Sequence, residues 1–373
     1  MKPNNKLVTI LKAELRWDKR RIECFVQMLL ALMVVQTVNL TKIANQIPTK
    51  VRGSNKYRRL QRFFQGCRID YDTVALFIFR LFRFGNNKIY LSMDRTNWKL
   101  GKKNINVLFL GIVYRGIAVP IYWLVLNKQG NSSTRERIAL VNRFVKIFGK
   151  DCIAGLLADR EFIGKEWFNW LSQTGIAFFI RIKGDANTTD KRDKTIDVSW
   201  LFYKLKAGEK LSIAGPKTIY GTKVFVSGGR SPDGELMIIV SNIETDEAIE
   251  IYLLRWQIEV LFQALKGRGF NFEDTHVIDR NKIKKLIVLL AIAFCWAHRS
   301  GEWHCENKEP IKLKKHGRKA KSIFRCGLDV IHTALAGMVN TIRPISRLIN
   351  LLRPPPDSIV QMRVPVVIGR RTF

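Results

Sequence analysis

Four residues in the C-terminal half, Tyr252, Arg255, Glu259 and Lys266, are spaced Tyr-x2-Arg-x3-Glu-x6-Lys. On a single helix, ~100° per residue places all four within a ~60° stripe and leaves Leu254, Ile258, Leu261 and Leu265 on the other side. One face would pack on a sheet while a compact row of charged and phenolic groups faces something else. Such a row is ordinarily a solvated face, with Arg255 and Glu259 as a simple i,i+4 pair. Two further carboxylates change that reading. Asp94 ends a strand in Leu-Ser-Met-Asp-Arg-Thr-Asn-Trp, and Asp159 ends another in Leu-Leu-Ala-Asp-Arg-Glu-Phe. Either alone reads as a strand-end turn residue. If the two strands are neighbours, both carboxylates leave the sheet at one edge, and the helix can set Glu259 beside them. Clustered carboxylates raise one another's pKa unless cations neutralise them. An all-oxygen donor set suits Mg²⁺ or Mn²⁺ rather than zinc, and a pair of such ions suits in-line phosphoryl displacement.

The elements that must position these groups follow from the pattern. Lys88–Met93, Val107–Tyr114 and Ile117–Leu126 are β-branched and aromatic runs separated by turn signals such as Arg115-Gly116, which predicts a three-strand meander. Ser132 or Ser133 caps a helix that runs to about Phe148 and stops at Gly149. A buried strand Ile153–Ala158, a helix Lys165–Ser172 and a strand Ile176–Ile182 complete the order β-β-β-α-β-α-β. That is the order of a ribonuclease-H-like α/β core still lacking its final helix. The spacing predicts a β-rich insertion over residues 190–244, with strands Lys210–Ile213, Lys217–Val226 and Glu235–Ile243, before the helix arrives at Asp246–Lys266. A helical segment Lys282–Arg299 follows. Residues Lys308–Arg325 hold eight Lys and Arg against one Glu, and a last helix covers Leu328–Ile342. The domains expected are therefore a helical one over 1–85, a catalytic one over 86–300, and a basic helical segment and tail over 301–373.

Charge names the partner. The formal net charge is +33, from 64 basic and 31 acidic residues. Self-repulsion of that size calls for a polyanion, so nucleic acid is the partner expected. Up to Lys88, 18 basic residues face 5 acidic ones. There the spacing predicts a long helix over Ala13–Gln36, a short one over Leu40–Ile47 with Asn39 as N-cap, and a third over Ser54–Phe64. In the third, Tyr57, Leu60 and Phe64 share a face while Arg58, Arg59 and Arg62 point elsewhere. This is a helix-turn-helix candidate with those three arginines toward DNA; an ordinary bundle with solvated arginines is the plainer alternative. Six scattered cysteines argue for free thiols in a reducing compartment, and neither a signal peptide nor a ~20-residue apolar span is apparent. A cytoplasmic protein with no membrane partner, nucleoid-associated when acting, is expected. Cys295, His298, His304 and Cys305 match no common zinc spacing, and no Walker-type glycine loop occurs.

The spaced quartet resembles the signature of the insertion-sequence-four family of bacterial DDE transposases. Met93-Asp94-Arg95-Thr96-Asn97-Trp98 and Ala158-Asp159-Arg160-Glu161-Phe162 resemble that family's first and second aspartate motifs. The β insertion, which puts Asp159 and Glu259 100 positions apart, also fits. The resemblance covers roughly residues 85–300 well and the N-terminal segment loosely. It implies that Asp94, Asp159 and Glu259 are a metal-binding catalytic triad for two Mg²⁺ (or Mn²⁺) ions. It implies that Tyr252, Arg255 and Lys266 hold DNA phosphates, although the Tyr252 phenol could equally be a hydrogen bond at the core edge. The activity implied is cleavage at the terminal inverted repeats of an insertion sequence and joining of the 3′-hydroxyl to target DNA, within a synaptic homodimer on double-stranded DNA. A ribonuclease-H-like nuclease without strand transfer and an inactive DNA-binding protein are the alternatives. Some family members cut through a DNA hairpin with a flipped base held on an aromatic; Trp200 is the one Trp between residues 190 and 245, which leaves that route open.

Overall fold

The computed structural model describes residues 3–48, 53–100, 103–190, 194–315, 317, 319–336 and 343–356. Five helices come first: α1 (Pro3–Leu15), α2 (Lys19–Val35), α3 (Leu40–Gln46), α4 (Gly53–Gly66) and α5 (Tyr71–Leu81). The single helix expected over Ala13–Gln36 is corrected here. Arg16 takes φ 56°, and the Asp18 side chain accepts from Arg21 N as the N-cap of α2. A left-handed residue followed by a cap ends one helix and starts the next. Asn39 caps α3 as expected, accepting from Thr41 N and Lys42 N. Of the proposed helix-turn-helix, residues 49–52 lie outside the described residues.

The meander β1 (Ile89–Leu100), β2 (Lys103–Tyr114) and β3 (Ile117–Leu126) follows. Arg115 (φ 43°) and Gly116 (φ 91°) form its two-residue turn, with Tyr114 paired to Ile117. Positive φ at both positions matches the twist of the flanking strands. Pro120, which has no N–H to give, lies on edge strand β3 beside a bulge at Leu110/Gly111. Next come α6 (Thr134–Phe148), β4 (Ile153–Ala158), α7 (Lys165–Thr174) and β5 (Phe178–Ile182). Ser133 and Glu136 form a reciprocal capping box on α6, and Gly149 ends it. β4 runs parallel to both β1 and β5, and these crossovers give the order expected for the α/β core.

The insertion does not stand apart from the sheet. After a small hairpin of β6 (Asn187–Thr189) and β7 (Thr195–Asp197), strands β8 (Lys210–Ile219), β9 (Thr222–Arg230) and β10 (Leu236–Ser241) extend it. β10 pairs antiparallel with β5, giving one eight-stranded sheet ordered β3-β2-β1-β4-β5-β10-β9-β8. The protein is thus a mixed α/β structure around a large central sheet.

The helix expected over Asp246–Lys266 is also corrected. It is α8 (Ala248–Leu253), a 3₁₀ turn (Leu254–Trp256) and α9 (Gln257–Leu265). α10 (Arg280–Asn307) covers the helical segment expected over Lys282–Arg299, and α11 (Ile323–Ala336) and α12 (Arg343–Asn350) follow where one last helix over Leu328–Ile342 was expected; residues 337–342 lie outside the described residues. α10 is buried from Leu286 to His298. It meets α11 at Gly301 and Gly327, where a Cβ on Gly327 would lie 1.7 Å from Ala297 O. α2 packs against α10 and α11, and Trp296 Nε1 donates to Leu348 O at 2.8 Å. The first and last helices therefore share a layer, joined to the sheet through α10 and β3. No single helix among the described residues is long and apolar enough to cross a membrane; α2 with α3, bent by 102°, passes only as a pair by length and composition.

Candidate active site

Parallel pairing of β1 and β4 sets Met93 opposite Ala158. The next residue on each side is an aspartate: Asp159 follows the end of β4, whereas Asp94, expected to end its strand, lies inside β1 and pairs with Phe109, at the point where the β1–β4 pairing stops. α8 lies on one face of the sheet, packing Ala248, Ile249 and Tyr252 against Leu157, Phe179 and Ile239. This contact carries the chain back over the two aspartates and delivers Arg255 and Glu259.

Arg255 occupies the centre. Its Nη1 donates to Asp94 Oδ2 at 3.1 Å and its Nη2 to Glu259 Oε1 at 2.8 Å. The Arg255 side chain is 4% exposed, Asp94 17% and Glu259 34%. Tyr252 Oη donates to Asp159 Oδ1 at 3.4 Å. The Arg255 guanidinium carbon lies 5.7 Å from the Tyr252 ring centre and 5.3 Å from that of Trp256, which is half exposed. Asp94 Oδ1 accepts from Arg95 N, and Asp159 Oδ1 from Arg160 N, each at 2.7 Å.

Tyr252, Arg255 and Glu259 of the quartet are thus brought to the aspartates, but not as a solvent-facing stripe. Tyr252 and Arg255 are buried, because the 3₁₀ turn draws Arg255 toward the sheet edge, where Ser92 Oγ donates to its carbonyl at 3.5 Å. Gln257 Oε1 accepts from Tyr114 N at 3.0 Å and ties the start of α9 to the end of β2. Lys266 ends α9, with Nζ 3.5 Å from Asn97 O and 2.8 Å from Glu273 Oε1. An open cleft of about 340 Å³ adjoins Glu259, lined by Thr96, Gln263, Lys266 and Arg268. A larger cavity of about 980 Å³ between α10, α11 and α12 contains none of these carboxylates.

Burial pushes the Asp94 carboxyl up to about 6, with Glu161 and Asp159 adding to the rise and Arg255 opposing it. Burial likewise holds the Tyr252 phenol up at about 12, so it is a neutral donor at ordinary pH. For Arg255, burial disfavours the charge, but Tyr252, Asp94, Glu259 and Asp159 outweigh it and raise the pKa. The guanidinium is a permanent cation set among acids.

Several residues escaped the sequence reading as site components. Arg95 forks onto Glu161, Nε–Oε1 at 3.1 Å and Nη2–Oε2 at 2.9 Å, and also donates to Asn106 and Asn131. Buried Arg137 donates to Ser132 O and Glu161 O and lies over the Phe162 ring, which fixes the loop after β4. The Asp-Arg of the first acid motif was the available signal for Arg95, since strand alternation turns Arg95 away from Asp94. On α4, Arg58 and Arg62 are exposed, while Arg59 donates to Gln27 of α2 at 2.8 Å. Trp200 is 63% exposed beside an equally open Tyr203.

Among the described residues, no three His, Cys, Asp or Glu side chains stand close enough together to form a ready metal cage. The donor set nevertheless fits a hard divalent ion: it is all oxygen, and a half-buried carboxylate, Asp94, already faces a cation.

A family model described as the transposase DDE domain matches residues 80–296, more than half of the chain. The chain belongs to that family, the DDE transposases. No curated protein sequence matches it. Among solved structures, a chain titled as a piggyBac transposase synaptic complex with hairpin DNA is similar at 12% identity and a TM-score of 0.43, over 95% of this chain and 83% of that one. That likeness is too slight to bear on the site.

Proposed function

We propose that this protein cuts the ends of its own insertion sequence and joins the freed 3′-hydroxyl to target DNA, with Asp94, Asp159 and Glu259 as the residues that hold two divalent ions, Mg²⁺ or Mn²⁺. The observation that carries this reading is the parallel register of Met93 with Ala158, together with Arg255 tying Glu259 to Asp94. Bound there, the ions would supply the Lewis acidity that phosphoryl transfer needs.

The chain's own residues do the rest. Arg255 and Lys266 grip phosphates near the cut, the first as a fork and the second as a point charge. Tyr252, kept neutral, orients Asp159 through its hydroxyl. Arg95 and Glu161, locked together, stiffen the two acid-bearing segments so that the carboxylates keep their separation. Arg58, Arg59 and Arg62 of α4 and the basic run Lys308–Arg325 bind duplex backbone, consistent with the net charge of +33. The reading includes a ribonuclease-H-like core over 86–300, a helical DNA-binding part over 1–85, the insertion-sequence-four branch of the family, and a homodimer that pairs two ends.

The experiment is cleavage of labelled duplex that carries the sequences flanking the gene, with Mg²⁺ or Mn²⁺. Wild type is expected to nick at the element boundary, and Asp94→Asn and Glu259→Gln to be inert. Cleavage retained by either variant overturns the assignment.

A further inference from the structure

A guanidinium that bridges two prospective metal ligands competes with the metal for their lone pairs. Both oxygens of Asp94 are engaged, Oδ1 by Arg95 N at 2.7 Å and Oδ2 by Arg255 Nη1 at 3.1 Å. Glu259 has given Oε1 to the same guanidinium. While Arg255 stays where it is, an ion taking Asp94 Oδ2 and Glu259 Oε1 would have to share each oxygen with a guanidinium N–H. Two positive groups on one pair of carboxylates would also repel at close range in a buried site.

We propose that Arg255 is a displaceable lock: it closes the site of the DNA-free protein by bridging Asp94 and Glu259, and a DNA phosphate that draws it away opens those carboxylates to divalent ions. This rests on the metal-binding reading above and adds its regulation.

Three features suit Arg255 to two positions. Its Nε is buried without a hydrogen-bond partner, so the closed position leaves that donor unsatisfied. It stands on the 3₁₀ turn between α8 and α9, and a 3₁₀ stretch inside a helical run is a common hinge. Its guanidinium lies against Trp256, whose ring is half exposed, so a cation–π surface leads from the carboxylates toward solvent. Phosphate is the natural second partner, because two of its oxygens can accept the fork bidentately, as a carboxylate does.

The consequence is thermodynamic. If DNA removes the lock, DNA and divalent ions bind with positive coupling, and linkage makes the effect reciprocal. A protein so built does not load its ions before its substrate arrives.

The test is Mn²⁺ binding, followed by electron paramagnetic resonance of the free ion. It is measured with and without a precut duplex carrying the flanking sequence, and corrected for Mn²⁺ bound by that duplex alone. Wild type is expected to bind Mn²⁺ about tenfold or more tightly with DNA. Arg255→Gln is expected to show the tight affinity without DNA and no further gain with it. Arg255→Lys, which can reach one carboxylate at a time, should fall between. Arg255→Gln that keeps wild-type near-ultraviolet dichroism but binds Mn²⁺ no more tightly than wild type overturns the lock. If that variant does not fold, wild type decides alone: an affinity unmoved by DNA overturns the lock. The underlying metal reading fails separately, by Asp94→Asn binding Mn²⁺ as well as wild type or by wild type binding none with DNA present.

Discussion

Arg255 and the arginines of α4 are the same side chain put to opposite uses. Arg255 is 4% exposed, held between carboxylates from a strand and a helix and flanked by two rings. Arg58 and Arg62 stand in solvent on a helix whose other face buries Leu60, Phe63 and Phe64. The first is placed by the tertiary fold and pays for its burial through its partners. The second pair is placed by helical periodicity alone. On the proposed reading, chemistry on phosphates uses the first arrangement, because Arg255 starts from one defined position between the acids. Sites that only hold a backbone work with the second, through counterion release.

The contrast breaks most readily at the acids. Asp94→Asn, Asp159→Asn or Glu259→Gln should each lower cleavage by at least about 10³-fold, since loss of a metal ligand removes several kcal/mol of transition-state stabilisation. Single-turnover rates on labelled duplex, with duplex binding kept near wild type, are the check. A loss of binding equal to the loss of rate would make the acids structural.

A second expectation concerns stability. Asp94 has a folded pKa raised from 3.8 to about 6, chiefly by burial. The folded state therefore holds this proton more tightly than the unfolded chain does. The group's contribution is fully present below pH ~4 and is lost as pH rises through about 6. Ionised Asp94 then costs the metal-free protein roughly 3 kcal/mol at neutral pH. Asp94→Asn should accordingly gain on wild type in urea midpoint as pH rises from 4 to 7. A constant difference across that range would mean that the carboxylate is not strained.

Two smaller effects sharpen the α4 side. Arg58→Ala with Arg62→Ala should weaken duplex binding uniformly across sequences and flatten the salt dependence by about 0.9 per lost phosphate contact. An unchanged slope would return those arginines to simple solvated charges. Asn39→Ala removes the cap from α3, against which α4 packs, and should cost about 1 kcal/mol with little effect on cleavage chemistry. Thermal melts beside cleavage rates separate the two.

What could be read in advance follows the range of the forces involved. α6 was legible from Ser133 to Gly149, because a capping box and a terminal glycine are local signals. β4 was legible because a buried parallel strand is one apolar run closed by its aspartate. The break at Leu254–Trp256 was not legible. Helical periodicity assumes an unbroken ladder, and Asp94, the partner that Arg255 meets from this break, lies 161 positions away in sequence. The pairing of β10 with β5 and the touching glycines 301 and 327 were invisible for the same reason: both depend on which elements meet. Thus the residue types of the candidate site could be named from the chain, while their burial and the central place of the arginine could not.

The most direct measurement is a crystal of the protein with precut duplex, soaked in Mn²⁺, and its anomalous difference map. The account predicts peaks among Asp94, Asp159 and Glu259, with the Arg255 guanidinium turned onto a phosphate. Mn²⁺ peaks only elsewhere, or Arg255 still bridging Asp94 and Glu259 with DNA in place, would contradict it.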